Sequence, residues 1–155
     1  YSDYLGPEYG AAAIRATLDS AGASYRELED PAEEAARRVA AGEIVGWFQG
    51  RGEFGPRALG NRSILADPRP AGMKDRVNGK VKHREPFRPF APACPEEEAA
   101  EYFTGPMPSP YMMRTFGVAP AFKGRMPAVL HVDDTARLQT VSRAQNPLFH
   151  RLLHL

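Results

Sequence analysis

The residues best equipped for chemistry are cations set among glycines. Gly50-Arg51-Gly52-Glu53-Phe54-Gly55-Pro56-Arg57-Ala58-Leu59-Gly60 runs directly into Asn61-Arg62. Glycines let backbone N–H groups approach an anion closely. The guanidinium forks of Arg57 and Arg62 suit bidentate contact with phosphate or carboxylate. Arg51 is open to the same anion or to pairing with Glu53. Further on, a helix carried through residues 72–82 to Arg84 puts Arg76, Lys80 and Arg84 on one face at i,i+4 spacing. Such a like-charge row costs stability unless an acid or an anion faces it. Lys82 stands apart between Val81 and His83, a point charge at the end of this element that suits a phosphate. A tight turn with surface arginines, and a solvated basic helix end, are the plain alternatives for these two segments.

The charge balance separates this stretch from the rest. The 155 residues carry 20 Lys+Arg against 19 Asp+Glu, a net charge of +1. Residues 51–90 alone hold ten Lys+Arg and four Asp+Glu. A local basic segment in a near-neutral chain points to an anion site or to a solvated charged face, more than to general nucleic-acid affinity. Two familiar nucleotide loops are disfavoured. Gly50, Gly52 and Gly55 match G-x-G-x-x-G after a strand, but Pro56 and Gly60 interrupt the helix a dinucleotide site needs. No Gly-Lys-Ser/Thr follows, so a Walker A loop is absent.

Composition bounds the rest. Apolar residues make up 43% and charged residues 25%, which suits one folded domain or a piece of a larger chain. No run approaches 18 apolar residues, and no signal peptide is visible. The start at Tyr1 rather than Met suggests a fragment or a processed product. Cys94 is the single cysteine, which excludes an internal disulfide framework and a multi-thiolate zinc site. Between Ala93 and Pro95 it reads as buried filler. A reducing cytoplasm is the expected location.

The positioning elements read as follows. Tyr9 to Ala21 is a helix closed by Gly22, and 24–28 a short strand. Asp30-Pro31-Ala32-Glu33 places Asp at the N-cap, Pro at the first helical position and Glu at the third, opening a helix that stops at Gly42. Residues 44–48 and 63–66 read as strands, 86–95 as extended, and Pro95 to Glu98 as the start of a short helix. Strands are expected at 111–118, 128–132 and 138–141, and Asn146-Pro147 opens a terminal helix. Helices alternating with buried strands indicate an α/β (α+β) layer. Trp47 and Phe48 are assigned to the core, and Phe54 and Phe90 to the core or to an adenine-stacking wall. His150 and His154 have the i,i+4 spacing of a zinc pair, but no Glu or Cys partner is apparent, so they read as helix surface and no metal site is expected. His131 is open to a phosphate contact, to proton transfer near neutral pH, or to a structural hydrogen bond.

Three blocks carry a resemblance. Gly50-Arg51 with Glu53 to Arg69, Val81-Lys82-His83-Arg84-Glu85-Pro86-Phe87-Arg88-Pro89-Phe90-Ala91-Pro92, and His131-Val132-Asp133-Asp134-Thr135-Ala136-Arg137-Leu138-Gln139-Thr140-Val141 together resemble the NodU/CmcH-type O-carbamoyltransferases, in the family's order. The resemblance spans about residues 43–149. It implies the C-terminal domain of a two-domain enzyme, with a YrdC-like fold: a twisted mixed sheet flanked by helices. Residues 1–30 are then a connecting helix and linker region. Residues 31–155 are the YrdC-like carbamoyl-activating domain, truncated before a serine-bearing segment of the nucleotide site. The implied partner is an N-terminal actin/kinase-like domain of the same enzyme, which carries the metal and the acceptor site.

The resemblance further implies small-molecule substrates, carbamoyl phosphate and ATP with Mg²⁺, that form carbamoyl-adenylate for O-carbamoylation of a natural product. Lys82 and Arg137 sit where the family places its carbamoyl-phosphate and adenylate contacts, and Arg57 at a similar position in the loop. Arg51, Arg62, Arg84 and His131 complete the expected binding set. Asp134 stands where the family usually has Gly. No membrane partner is expected. The alternative function is a YrdC-like basic module that holds RNA without carbamoyl chemistry.

Overall fold

In the computed structural model, residues 2–155 are described. Local signals set the helices. Helix α1 spans Ala11–Ser20 and α2 spans Pro31–Ala40. The Asp30 carboxylate accepts from the N–H groups of Ala32 and Glu33, both at 3.1 Å, so the expected cap forms. Both helices end alike. Gly22 (φ +63°) and Gly42 (φ +81°) take the left-handed conformation. Ala23 then donates to Leu18 and Glu43 to Arg38, closing two Schellman turns. Residues 24–28 form no strand, contrary to expectation. No residue between 2 and 30 is buried, so this segment has no packed face to pair against.

The chain is α/β, with its strands in three small sheets. Strand β1 (Val45–Phe48) pairs antiparallel with β2 (Arg62–Leu65), and the 49–61 loop closes the pair. Strand β3 (Ala93–Pro95) meets the late strand β7 (Gln139–Val141) in parallel. Between them, α4 (Ala99–Tyr102), β4 (Phe103–Thr104), β5 (Phe116–Val118) and β6 (Thr135–Ala136) follow in order. Strands β4, β5 and β6 form an antiparallel sheet in that order, and β7 (Gln139–Val141) pairs with β3. The one parallel pair and the antiparallel pairs therefore lie in separate small sheets. Of the expected strand 111–118, only the last three residues pair. The 128–132 strand is absent: Pro127–Val129 form a short 3₁₀ turn instead, since Pro fixes its own φ and withholds a donor.

Helix α3 (Met73–Val77) continues into a π-helical turn at Asn78–Lys82, and His83 (φ +46°) ends it. The terminal helix α5 (Pro147–His154) is capped by Asn146, whose side chain accepts from the Phe149 N–H at 3.1 Å.

Three apolar clusters hold these pieces. One joins Cys94, Phe103, Phe116, Val118 and Leu138. Another joins Ala32, Ala35, Trp47, Val141, Phe149 and Leu152, packing α2 and α5 across β1 and β7. A smaller one joins Met73, Val77 and Ala128. Cys94 is buried as expected, and its burial pushes the thiol up to about 12. Trp47 is core, but Phe48 is 53% exposed and Phe54 71% exposed, so neither is the core residue expected.

Candidate anion site

The glycine-rich loop is held by its own polar groups. Glu53 Oε1 accepts from the N–H of Leu59 (2.6 Å) and Asn61 (2.9 Å), and Oε2 accepts from Arg62 N–H (3.2 Å). Ser63 Oγ accepts from Gly60 N–H at 3.0 Å. The Trp47 indole donates to Gly60 O at 2.7 Å, and Gln139 Nε2 to Leu59 O at 2.8 Å. Asn61 donates to Arg51 O and accepts from Asn146, each at 2.8 Å. Gly60, at φ +106°, lies so close to α5 that a Cβ there would sit 2.2 Å from the Phe149 ring.

This corrects two expectations. The amides of residues 59–62 are spent inside the protein and do not cradle an anion. Glu53 serves those amides, not Arg51. Arg51 instead donates from Nε to Gly6 O at 3.2 Å. Arg62 lies with its guanidinium 5.1 Å from the Phe48 ring centre and against Gly52. Both arginines are thereby engaged in holding the loop. Glu53, Asn61, Gln139 and Asn146 are the residues whose positioning task the sequence reading missed.

The basic helix face also breaks up. The π turn alters the residue spacing, and His83 ends the helix before Arg84. Arg76 donates to Gly42 O at 2.6 Å. Arg84 folds back, donating to Asn78 Oδ1 at 2.7 Å and to Pro89 O at 3.3 Å, with its guanidinium 4.6 Å from the Phe90 ring centre. The row Arg76, Lys80, Arg84 therefore does not exist as a single face. Lys82 is exposed and makes no hydrogen bond or ion pair among the described residues.

The 131–137 segment differs. Thr135 N–H and Oγ1 both donate to Asp133 Oδ1, at 3.1 and 2.7 Å. The one hydroxyl proton of Thr135 is thus used, so the 3.0 Å contact with His131 is donated by His131 Nδ1–H. His131 Nε2 is buried and has no partner, and so is Arg137 Nε. Among the described residues, these are the buried side-chain polar atoms left unpaired. Each costs about 1–3 kcal/mol in that state. Asp134 adopts φ +59°, the left-handed turn, with its carboxylate 2.9 Å from Lys123 Nζ.

Arg137 also carries the electrostatic signature. Its pKa is lowered first by burial and then by the positive charges of Arg57 and Arg84. Arg57 and Arg84 thus bear electrostatically on Arg137, although Arg84 is itself held by Asn78, Pro89 and Phe90, while Arg51 and Arg62 are engaged at the loop. Burial and Arg88 lower Arg84 in turn. Three like charges converging on a half-buried position are unfavourable without an anion. Elsewhere the surface is less suited. The concavity between α1 and β1 is lined by Tyr9, Ile14, Leu18 and Phe48 and has no charged residue in its wall.

His150 and His154 are not plain helix surface. His150 is buried, and the Nε2 atoms of both rings lie 2.8 and 3.0 Å from Glu97 Oε1. The acidic partner held to be missing is Glu97. No helix of the described residues is long and apolar enough to cross a membrane.

Residues 36–155 match the family described as Carbamoyltransferase C-terminus. The chain is similar to nodulation protein NolO of Bradyrhizobium diazoefficiens, at 49% identity over 94% of this chain and 28% of that protein. It is similar to nodulation protein NolNO of Sinorhizobium fredii, at 47% identity over 97% of this chain and 23% of that protein. It also resembles the 3'-hydroxymethylcephem-O-carbamoyltransferase of Amycolatopsis lactamdurans, at 44% identity over 87% of this chain and 25% of that enzyme. The chain therefore spans about a quarter of the length of these relatives. It belongs to the carbamoyltransferase C-terminal family.

Proposed function

We propose that this carbamoyltransferase C-terminal domain binds carbamoyl phosphate and ATP and forms carbamoyl-adenylate, for O-carbamoylation of a natural-product hydroxyl by the whole enzyme. The observation that carries this reading is the buried, unpaired Arg137 Nε, on which the charges of Arg57 and Arg84 also bear, with the unpaired His131 Nε2 six residues earlier in the same segment. A dianion and a polyanion offer the oxygen that Arg137 Nε–H lacks. Water first hydrolyses carbamoyl phosphate, breaking its bond between the carbamoyl and phosphoryl groups and releasing carbamate and dihydrogen phosphate. A carbamate oxygen then attacks the α-phosphorus of ATP in line, the bond to the β-phosphate breaks, and pyrophosphate leaves. Arg57, Arg84 and Arg137 stabilise charge spreading over the transferring group, and Lys82 adds a mobile point charge. His131 Nε2 accepts a hydrogen bond from the carbamoyl NH₂ or from a ribose hydroxyl. Holding both substrates together supplies much of the remaining barrier reduction. Mg²⁺ arrives on the ATP phosphates, since an all-arginine field suits a polyanion and repels a bare cation.

The ring faces argue against RNA. Arg62 covers Phe48, Arg84 covers Phe90, Arg114 lies over Phe116 and Arg125 over Phe122. These four rings are already stacked by arginines, which leaves exposed Phe54 and Phe87 as the free rings of the basic stretch. The proposed partner is an N-terminal actin/kinase-like domain of the same enzyme, which supplies the acceptor site. The test is carbamoyl-phosphate-dependent pyrophosphate release by the whole enzyme. Arg137→Ala and Lys82→Ala are each expected to abolish it with the fold intact. Turnover at the wild-type rate by either variant contradicts the assignment.

A further inference from the structure

We propose that Glu97, His150 and His154 form a zinc site that clamps the terminal helix α5 to the turn between β3 and α4. One ligand atom from each lies within 4.8 Å of the other two. The two histidines stand one turn apart on α5, and Glu97 comes from a segment 53 residues earlier than His150. His150 and His154 both aim Nε2 at Glu97 Oε1, at 2.8 and 3.0 Å. A tetrahedral zinc with bonds of about 2.0–2.2 Å holds its ligand atoms about 3.4 Å apart, so opening this cluster by a few tenths of an ångström admits the ion.

The surroundings suit a metal as well. His154 Nδ1 lies 3.2 Å from the Glu98 carboxylate, which orients the ring and leaves Nε2 as the ligand atom. Such carboxylate–histidine pairs raise ligand basicity at zinc. The His150 side chain is only 8% exposed and fixed by its packing, while Glu97 and His154 are 56% and 39% exposed and leave an entry path. Two imidazoles and one carboxylate favour zinc over the oxygen-seeking Mg²⁺ and Ca²⁺, and leave a fourth position for water.

The test uses Co²⁺ as a spectroscopic probe and Zn²⁺ as competitor on the 155-residue chain. The expected result is one equivalent of Co²⁺ giving the visible bands of a tetrahedral site, which Zn²⁺ bleaches. Zn²⁺ is also expected to raise the melting temperature, because it binds only the folded chain. His154→Ala and Glu97→Gln, both at exposed positions, should each lose the bands, and Glu98→Gln should weaken binding by roughly tenfold. No bands with the wild-type chain, or bands unchanged in both His154→Ala and Glu97→Gln, overturn the proposal. The readout is independent of carbamoyl chemistry, so it stands or falls apart from the proposed function.

Discussion

The 50–61 loop and the 131–137 segment are the two blocks most suited to anions by residue type, and they are built in opposite ways. In the loop, the polar groups of Glu53, Asn61, Gln139 and Asn146 are satisfied within the protein. Its glycines and carboxylate hold a shape. In 131–137, burial leaves His131 Nε2 and Arg137 Nε without partners, and Arg137 sits in the field of two further arginines. Satisfied polar networks rigidify, whereas unsatisfied ones cost stability and persist where a ligand completes them. The difference teaches that the end of the glycine-rich motif, residues 59–62, is scaffold and that the later turn is the better candidate for the proposed anion site.

Substitutions sharpen that division, the largest effect coming from the scaffold. Gly60→Ala would drive a Cβ into Phe149 from a left-handed backbone position, and the expected loss is at least ~3 kcal/mol, read by urea unfolding. Glu53→Ala strands three backbone donors, and ~2–3 kcal/mol of destabilisation is expected. Carbamoyl-phosphate affinity of the folded fraction should fall far less than in Arg137→Met, and only through displacement of Arg57. Arg137→Met should behave inversely. It relieves an unpaired buried group and like-charge repulsion, so the melting temperature should hold or rise while anion affinity collapses. Equal stability losses at Glu53 and Arg137 would erase the contrast. The smallest effect is Asp134→Gly. Gly adopts φ +59° without the cost a side chain carries, and a gain of up to ~1 kcal/mol is expected, reduced by losing the exposed Lys123 pair.

What was legible follows from range. Asp30, Pro31, Gly22, Gly42 and Asn146 act on neighbours within a few residues, and each cap formed where its type and spacing placed it. Strands were harder. Ala128-Val129-Leu130 has strand-like residues but no partner strand, and Pro127 turns it into 3₁₀. Strands β4 and β6 are two residues each and exist only through pairing with β5. The site divides likewise. Lys82, Arg57, Arg84, Arg137 and His131 were nameable from charge and from family motifs. That Arg57 and Arg84 bear electrostatically on Arg137 depends on how distant segments are placed. Glu53 offered an adjacent Arg51 as the obvious partner, yet its acceptors serve amides six to nine residues on. Glu97 and His150 are 53 residues apart, beyond any local spacing rule.

The most direct test is calorimetric titration of the chain with carbamoyl phosphate, then with ATP and Mg²⁺, for the wild type and for Arg137→Met. The account predicts saturable binding of carbamoyl phosphate by the wild type and its loss, by a hundredfold or more (about 2.7 kcal/mol), in a variant that melts no lower. Undiminished binding by Arg137→Met would contradict it.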